Sequence, residues 1–189
     1  WRGERLDRLL DEDHAALVEG VVARLRRLEW EVAVEVSFSI WGERGSIDVL
    51  GYHAEEGALL VVEVKSVVPD SQATVHGLDR KARLGPEIAT ERGWRARSVS
   101  RLLVIGESST SRRRIERLAA TYDVACPDRG AVVRRWLRRP AGTMNGLMFL
   151  PFDSHGGPNQ SPRGRERVRR PHPPRQRPHR AQNDGQDGA

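Results

Sequence analysis

The chain has 189 residues, which is enough for one domain of ordinary size and a tail. Its single cysteine, Cys126, excludes an internal disulfide and suits a reducing compartment, so we expect a cytoplasmic protein. No apolar run reaches about 18 residues, which excludes a membrane-spanning helix and membrane partners. The sequence shows no secretion signal. Because it starts at Trp1 and not at Met, we expect a fragment or a mis-called start, with upstream sequence missing.

The basic residues are concentrated at the carboxyl end. Residues 154–189 carry eight arginines against three acidic residues, whereas residues 1–153 carry 24 basic and 23 acidic residues. This composition predicts a domain at 1–153 and a disordered Arg/Pro-rich tail at 154–189. The tail could neutralise nucleic-acid phosphates, but without aromatic residues it cannot stack on bases. A read-through or frame-altered terminus explains it equally well.

Hydrophobic periodicity gives the elements of the first half of the chain. Apolar residues at intervals of three and four predict a helix, with Asp11 or Asp13 as the cap of a second helical segment. Strict alternation then predicts a strand with one buried face, formed by Val32, Val34, Val36, Phe38 and Ile40. In order, the predicted elements are a helix at 5–29, a strand at 30–40, a turn at 42–45, strands at 46–53 and 58–68, and a helix at 72–92 with a weak point at Gly85-Pro86.

The second half alternates shorter elements. They are a strand at 101–106, a helix at about 111–122, a short strand at 124–126, a helix at 131–138 and an apolar segment at 147–152 that packs back on the core. The order α-βββ-α-β-α-(β)-α predicts an α/β fold, in which a mixed sheet begins as a meander and continues through a crossover helix.

Three charged residues interrupt two adjacent apolar strands: Asp48 in one, and Glu63 and Lys65 in the next. Glu63 and Lys65 share a face, and a hairpin would bring Asp48 beside Glu63. Mg²⁺ takes oxygen ligands and keeps several waters, so two carboxylates suffice. We predict that Asp48 and Glu63 bind Mg²⁺ or Mn²⁺, and that Lys65 positions water or stabilises charge during phosphodiester cleavage. The alternative is a buried ion-pair network with Lys65.

Lysine is rare in this chain, which has 30 arginines and two lysines. A GC-rich genome explains the bias, but a retained lysine suggests a site that needs a compact point charge. Glu19 is a further candidate for the catalytic site, with a solvated helix position as the alternative. Gln72 lies on a polar face of the predicted helix at 72–92, which faces either a substrate or solvent. The candidate nucleic-acid contacts are Arg44, Lys81, Arg112, Arg113 and Arg114, the last three at the start of a helix whose N–H groups favour phosphate.

Asp48 followed by Glu63-Val64-Lys65 at the end of an apolar strand resembles the PD-(D/E)xK nuclease superfamily. The α-βββ-α-β order agrees with the restriction-endonuclease-like fold of that superfamily, although Ile47 stands where the motif often has proline. The resemblance implies a metal-dependent endonuclease acting on DNA. It also implies that Asp48, Glu63 and Lys65 are catalytic, and that Gln72, early in the following helix, completes the site.

Longer stretches, including WEVAVEVSFSIWGERGSIDVLGYH, LLVVEVKS and SRRRIERLAATY, resemble an actinobacterial group labelled as transcriptional regulators. Its members often carry an amino-terminal helix-turn-helix of the XRE type, which this chain lacks. The resemblance implies the alternative of a non-cleaving DNA-associated or sensory domain. DNA is the expected partner. The sequence leaves open RNA as substrate, strandedness and formation of a homodimer.

Overall fold

The computed structural model describes residues 2–67 and 70–152; the predicted disordered tail lies outside this part of the chain. The elements alternate in type much as the sequence predicts. They are α1 (Arg2–Arg26), β1 (Glu31–Ile40), β2 (Glu43–His53), β3 (Ala58–Lys65), α2 (Ser71–Glu91), β4 (Ser98–Gly106), α3 (Ser109–Arg117), α4 (Ala119–Ala125), β5 (Asp128–Arg129), α5 (Gly130–Arg138) and β6 (Asn145–Leu150).

One mixed sheet of six strands forms the centre of the described residues, in the order β1-β2-β3-β4-β6-β5. The first three strands are an antiparallel meander, and β4, β6 and β5 continue the sheet parallel to β3. The predicted α/β class with a mixed sheet is therefore confirmed. Because β3, β4 and β6 are parallel, their carboxyl ends lie at the same end of the sheet.

Helices cover both faces of the sheet. On one face, Leu78 and Leu84 of α2 pack in a cluster with Leu59 and Val61 of β3. On the other face, α1 and α5 pack in a second cluster with the alternate β3 residues, such as Val62. Side chains alternate along a strand, so the end of β3 presents Glu63 and Lys65 on the face that α2 covers.

The predicted single buried face of β1 is wrong at Val34, which is 42% exposed, whereas Val36 beyond it is buried. The cause is Glu35, whose φ of 50° is left-handed and breaks the alternation. The partner strand changes face at the same level, since Ile47 and Val49 pack in opposite clusters. Asp48 lies between these two residues, at the point where both strands switch faces.

One predicted turn and one predicted helix cap differ from the structure. The first hairpin turn is Trp41-Gly42, with φ values of 47° and 82°, so β2 begins at Glu43 and not after a turn at 42–45. Positive φ at both central residues is what a two-residue hairpin loop requires. In addition, α1 is one continuous helix without a break at Asp11 or Asp13.

The predicted strand at 124–126 is also wrong, because this segment completes α4. Helical spacing buries both Tyr122 and Cys126, and the Cys126 N–H donates to the Tyr122 carbonyl at 2.9 Å. The short strand lies later, at β5. The apolar segment at 147–152 does pack on the core, largely as strand β6 between β4 and β5, and α2 continues through Pro86 without ending.

We expect Glu35→Gly to leave the free energy of unfolding unchanged or higher, because glycine adopts a positive φ without the steric cost that another residue meets. The matched control is Ser37→Gly, an exposed position on the same strand with ordinary backbone, which should lose roughly 0.5–1 kcal/mol. Urea denaturation measures both. Equal losses in the two variants would contradict the face switch at Glu35.

Candidate metal centre

The carboxyl end of β3 carries an ion pair. Glu63 is 6% exposed, and the Lys65 ammonium lies 2.7 Å from its Oε1. The Lys65 side chain is 33% exposed, so it reaches from the buried carboxylate to the surface. The ion pair therefore extends from the interior of the protein to its surface, where the parallel strands end.

Asp48 is held against β3 by a backbone hydrogen bond. The last residue pair between β2 and β3 is Val49 with Val62, so Asp48, the residue that precedes Val49, lies just beyond the paired region. Beyond that pair, the Val64 N–H donates to Asp48 Oδ2 at 2.7 Å. The carboxylate therefore takes the place of a strand carbonyl and satisfies a backbone donor that would otherwise be costly to bury. This bond fixes Asp48 beside the Glu63 strand.

Lys81 lies on the inward face of α2 and is 8% exposed. Its Nζ donates a hydrogen bond to Glu63 Oε2 and lies 3.9 Å from Asp48 Oδ1. A Cβ on Gly85, one turn later, would lie 3.1 Å from Val61, so glycine lets α2 lie close to β3. The two lysines of the chain therefore both contact Glu63, Lys65 from the same strand and Lys81 from helix α2.

Two carboxylates share this buried space, and the pKa of Asp48 is raised as a result. Burial is the largest cause, and the negative charge of Glu63 adds to it. The Val64 N–H, Lys81 and His14 of α1 lower the pKa in turn, but by less. The site thus holds an aspartate whose ionised form is disfavoured, which is common at functional sites.

The donor set fits a hard divalent cation. Asp48 Oδ1 and Glu63 Oε2 both face one point, and the Lys81 ammonium occupies that point. Across the described residues no group of three or more His, Cys, Asp and Glu side chains is arranged to bind a metal. The protein would therefore supply two carboxylates, and Mg²⁺ would complete its coordination with water. A metal at this point would take the place of the Lys81 ammonium.

The other two predicted site residues lie on the helices. Glu19 is exposed on α1 and lines a groove between α1 and β1 together with His14. Gln72 is exposed in the first turn of α2, where its N–H donates to the cap residue Asp70 at 2.8 Å.

The predicted nucleic-acid contacts separate into exposed positions and the buried Lys81. Arg44 is exposed on β2. Arg112 pairs with Glu107 and stacks on Phe149 at 4.5 Å from the ring centre. Arg113 and Arg114 line a groove on α3. Lys81 instead contacts the two carboxylates.

The contact of Lys81 with Glu63 is the main feature that sequence reasoning missed. The signal was available, since Lys81 lies three residues after Leu78 and three before Leu84, in the apolar stripe of α2. A charged residue in such a stripe needs a buried counter-charge. The approach of His14 to Asp48 has no comparable signal, because it depends on how α1 crosses the sheet.

No protein-family model and no curated protein matches the sequence. Among the residues that the structure describes, no helix is long and apolar enough to cross a membrane.

We expect Asp48→Asn to stabilise the metal-free protein at pH 7 to 8. The folded-state pKa of Asp48 lies above its ordinary value, so its ionisation destabilises the fold above that pKa. This destabilisation disappears as the pH falls through the raised pKa, and the two proteins should converge in stability near pH 4. Asparagine retains an oxygen acceptor for the Val64 N–H.

Thermal unfolding in EDTA at several pH values measures the effect. Asp123→Asn, at an exposed carboxylate paired with Arg129, is the matched control and should show little pH-dependent difference. A lower unfolding temperature for Asp48→Asn at pH 7 would contradict the electrostatic account of the site.

Proposed function

We propose that the chain is a metal-dependent nuclease domain of the PD-(D/E)xK type, with a restriction-endonuclease-like fold, that cleaves DNA phosphodiesters. One observation carries the proposal: Asp48 and Glu63, on neighbouring strands, converge on a single buried cationic group. The helix, the antiparallel meander, the second helix and the parallel strand that frame this point agree with that fold.

Asp48 and Glu63 would hold Mg²⁺ or Mn²⁺, which when bound neutralises phosphate charge and lowers the pKa of a bound water. The Val64 N–H keeps Asp48 in place. Lys65 holds Glu63 Oε1 at 2.7 Å while its side chain reaches solvent. Its ammonium is therefore placed to orient an attacking water, or to stabilise charge that develops on a phosphate oxygen.

Lys81 has a different role, which follows from its position. Without metal it balances the two carboxylates from within the fold. Binding of a divalent cation would release its ammonium from Glu63 Oε2. A released lysine at this point would meet a phosphate oxygen, which agrees with its prediction as a phosphate contact.

The second candidate is a non-cleaving DNA-associated or sensory domain of a regulator. The observation that favours it is the same network, because two ammonium groups already pair with Glu63 and one of them lies near Asp48. In that case the charges form a structural network, and the protein binds DNA without cutting it. The two candidates differ in metal binding and in turnover, and both can be measured.

We expect the purified protein to nick supercoiled plasmid in Mg²⁺ or Mn²⁺. Asp48→Ala, Glu63→Gln and Lys65→Ala should each lower the rate by roughly 100-fold or more, as removal of electrostatic or metal-binding groups does. Arg92→Ala, an exposed change on the far end of α2, is the control and should retain the wild-type rate. Nicking that persists in all three variants would refute this site. DNA binding without nicking would favour the regulator domain.

We expect Lys81→Met to bind Mn²⁺ more tightly than the wild type, because methionine fills similar space without competing for the carboxylates. Electron paramagnetic resonance of free Mn²⁺ measures the affinity directly and does not depend on cleavage. Asp48→Asn should weaken binding. The metal-free Lys81→Met variant should lose about 3–5 kcal/mol of stability in either case, the usual effect of leaving a buried charge without its partner. If the charges are only a structural network, the variant should bind no Mn²⁺.

A further inference from the structure

A cavity of about 260 Å³ lies between the carboxyl-terminal part of α1 and α5. Both helices pack on the sheet face opposite to α2, so this cavity is separate from the candidate metal centre. Its lining consists of two leucines and four arginines: Leu28, Leu137, Arg24, Arg27, Arg134 and Arg138.

All the charged side chains that line the cavity are positive. No carboxylate belongs to it, and none of the ion pairs found among the described residues involves its four arginines. Two of the guanidinium groups have neutral hydrogen-bond acceptors: Arg24 donates to the weak acceptor Met148 Sδ at 3.4 Å, and Arg27 donates to the Ala23 carbonyl at 3.2 Å. Basic residues are favourable at a helix C-terminus, but this preference acts on each helix separately and does not make two helices share one cavity.

A buried tryptophan connects the two walls. The Trp30 indole N–H donates to the Leu137 carbonyl at 2.9 Å, and its backbone N–H donates to Leu25 of α1 at 3.2 Å. The Trp30 ring packs 5.6 Å from the Trp136 ring of α5, measured between ring centres. Trp30 is 3% exposed. The cavity is therefore formed before any ligand arrives, as small-molecule sites usually are.

The lining selects a ligand class. Guanidinium groups bind phosphate oxygens in pairs and stack on planar rings, and the half-buried Leu28 offers an apolar surface for the rest of a ligand. The volume is slightly below the usual range of about 300–1,000 Å³ for ligand pockets, which suits a small molecule and not a duplex. We propose that this cavity binds a phosphorylated ligand of nucleotide size, with its phosphates between the arginines and its planar part on Leu28 and a guanidinium group.

Isothermal titration calorimetry of the whole chain with ADP, in EDTA and low salt, tests the proposal. ADP should bind at one site, pyrophosphate more weakly and adenosine undetectably. Arg134→Gln with Arg138→Gln should lower ADP affinity at least roughly tenfold, whereas Arg134→Lys with Arg138→Lys should retain part of it, because lysine keeps the charge and loses the paired hydrogen bonds. Arg92→Gln with Arg95→Gln removes the same charge from exposed positions elsewhere and should bind as the wild type does.

Three results would overturn the proposal. One is no single-site binding of ADP. A second is equal weakening in the cavity variant and the Arg92/Arg95 control, which would indicate attraction by net charge alone. The third is a short DNA duplex that binds with the same sensitivity to Arg134 and Arg138 while ADP does not. Asp48→Asn should leave ADP affinity unchanged, so this result is independent of the proposed nuclease site.

Discussion

The arrangement of the candidate site depends on the ionic contact among Asp48, Glu63 and Lys81 beneath α2. Burying charged groups is unfavourable unless they are paired, and a buried pair contributes little net stability compared with apolar residues of the same size. A sheet centre made of valine and leucine therefore gains little from these residues. Their convergence near the end of β3 is what the proposed metal site requires, and burial raises the pKa of Asp48, so its charged form is unfavourable there.

Three local features bring this contact together, and each has a steric or hydrogen-bonding cause. The left-handed backbone at Glu35 marks the level at which β1 and β2 change face, beside Asp48. The Val64 N–H, left beyond the last β2–β3 pair, holds the aspartate. Gly85 allows α2 to approach β3, so that the lysine one turn earlier reaches Glu63. Each of the three therefore sets the position of a residue in the proposed site.

Much of the fold follows from sequence because hydrophobic periodicity is local. The apolar β3 and the alternation after Glu35 give the meander, and the helical spacing gives α1 and α2. The errors have non-local or backbone causes. Periodicity does not reveal the positive φ at Glu35, and the segment 124–126 reads as a strand although its buried residues, Tyr122 and Cys126, are one helical turn apart.

Sequence spacing likewise predicts some contacts of the candidate site and not others. Spacing within one strand indicates that Glu63 and Lys65 share a face, and a hairpin brings Asp48 near them. Lys81 reaches the same point through the packing of a helix on the sheet, which sequence spacing alone does not determine. Its position in the apolar stripe of α2 was the available signal.

The central claim is that Asp48 and Glu63 form a divalent-cation site whose place is held by Lys81 in the absence of metal. Anomalous diffraction from crystals grown with Mn²⁺ tests it most directly. The account predicts an anomalous peak at coordination distance from Asp48 Oδ1 and Glu63 Oε2, with the Lys81 ammonium moved away from Glu63. Crystals that show no peak at this point, with Lys81 still bonded to Glu63 at saturating Mn²⁺, would contradict it.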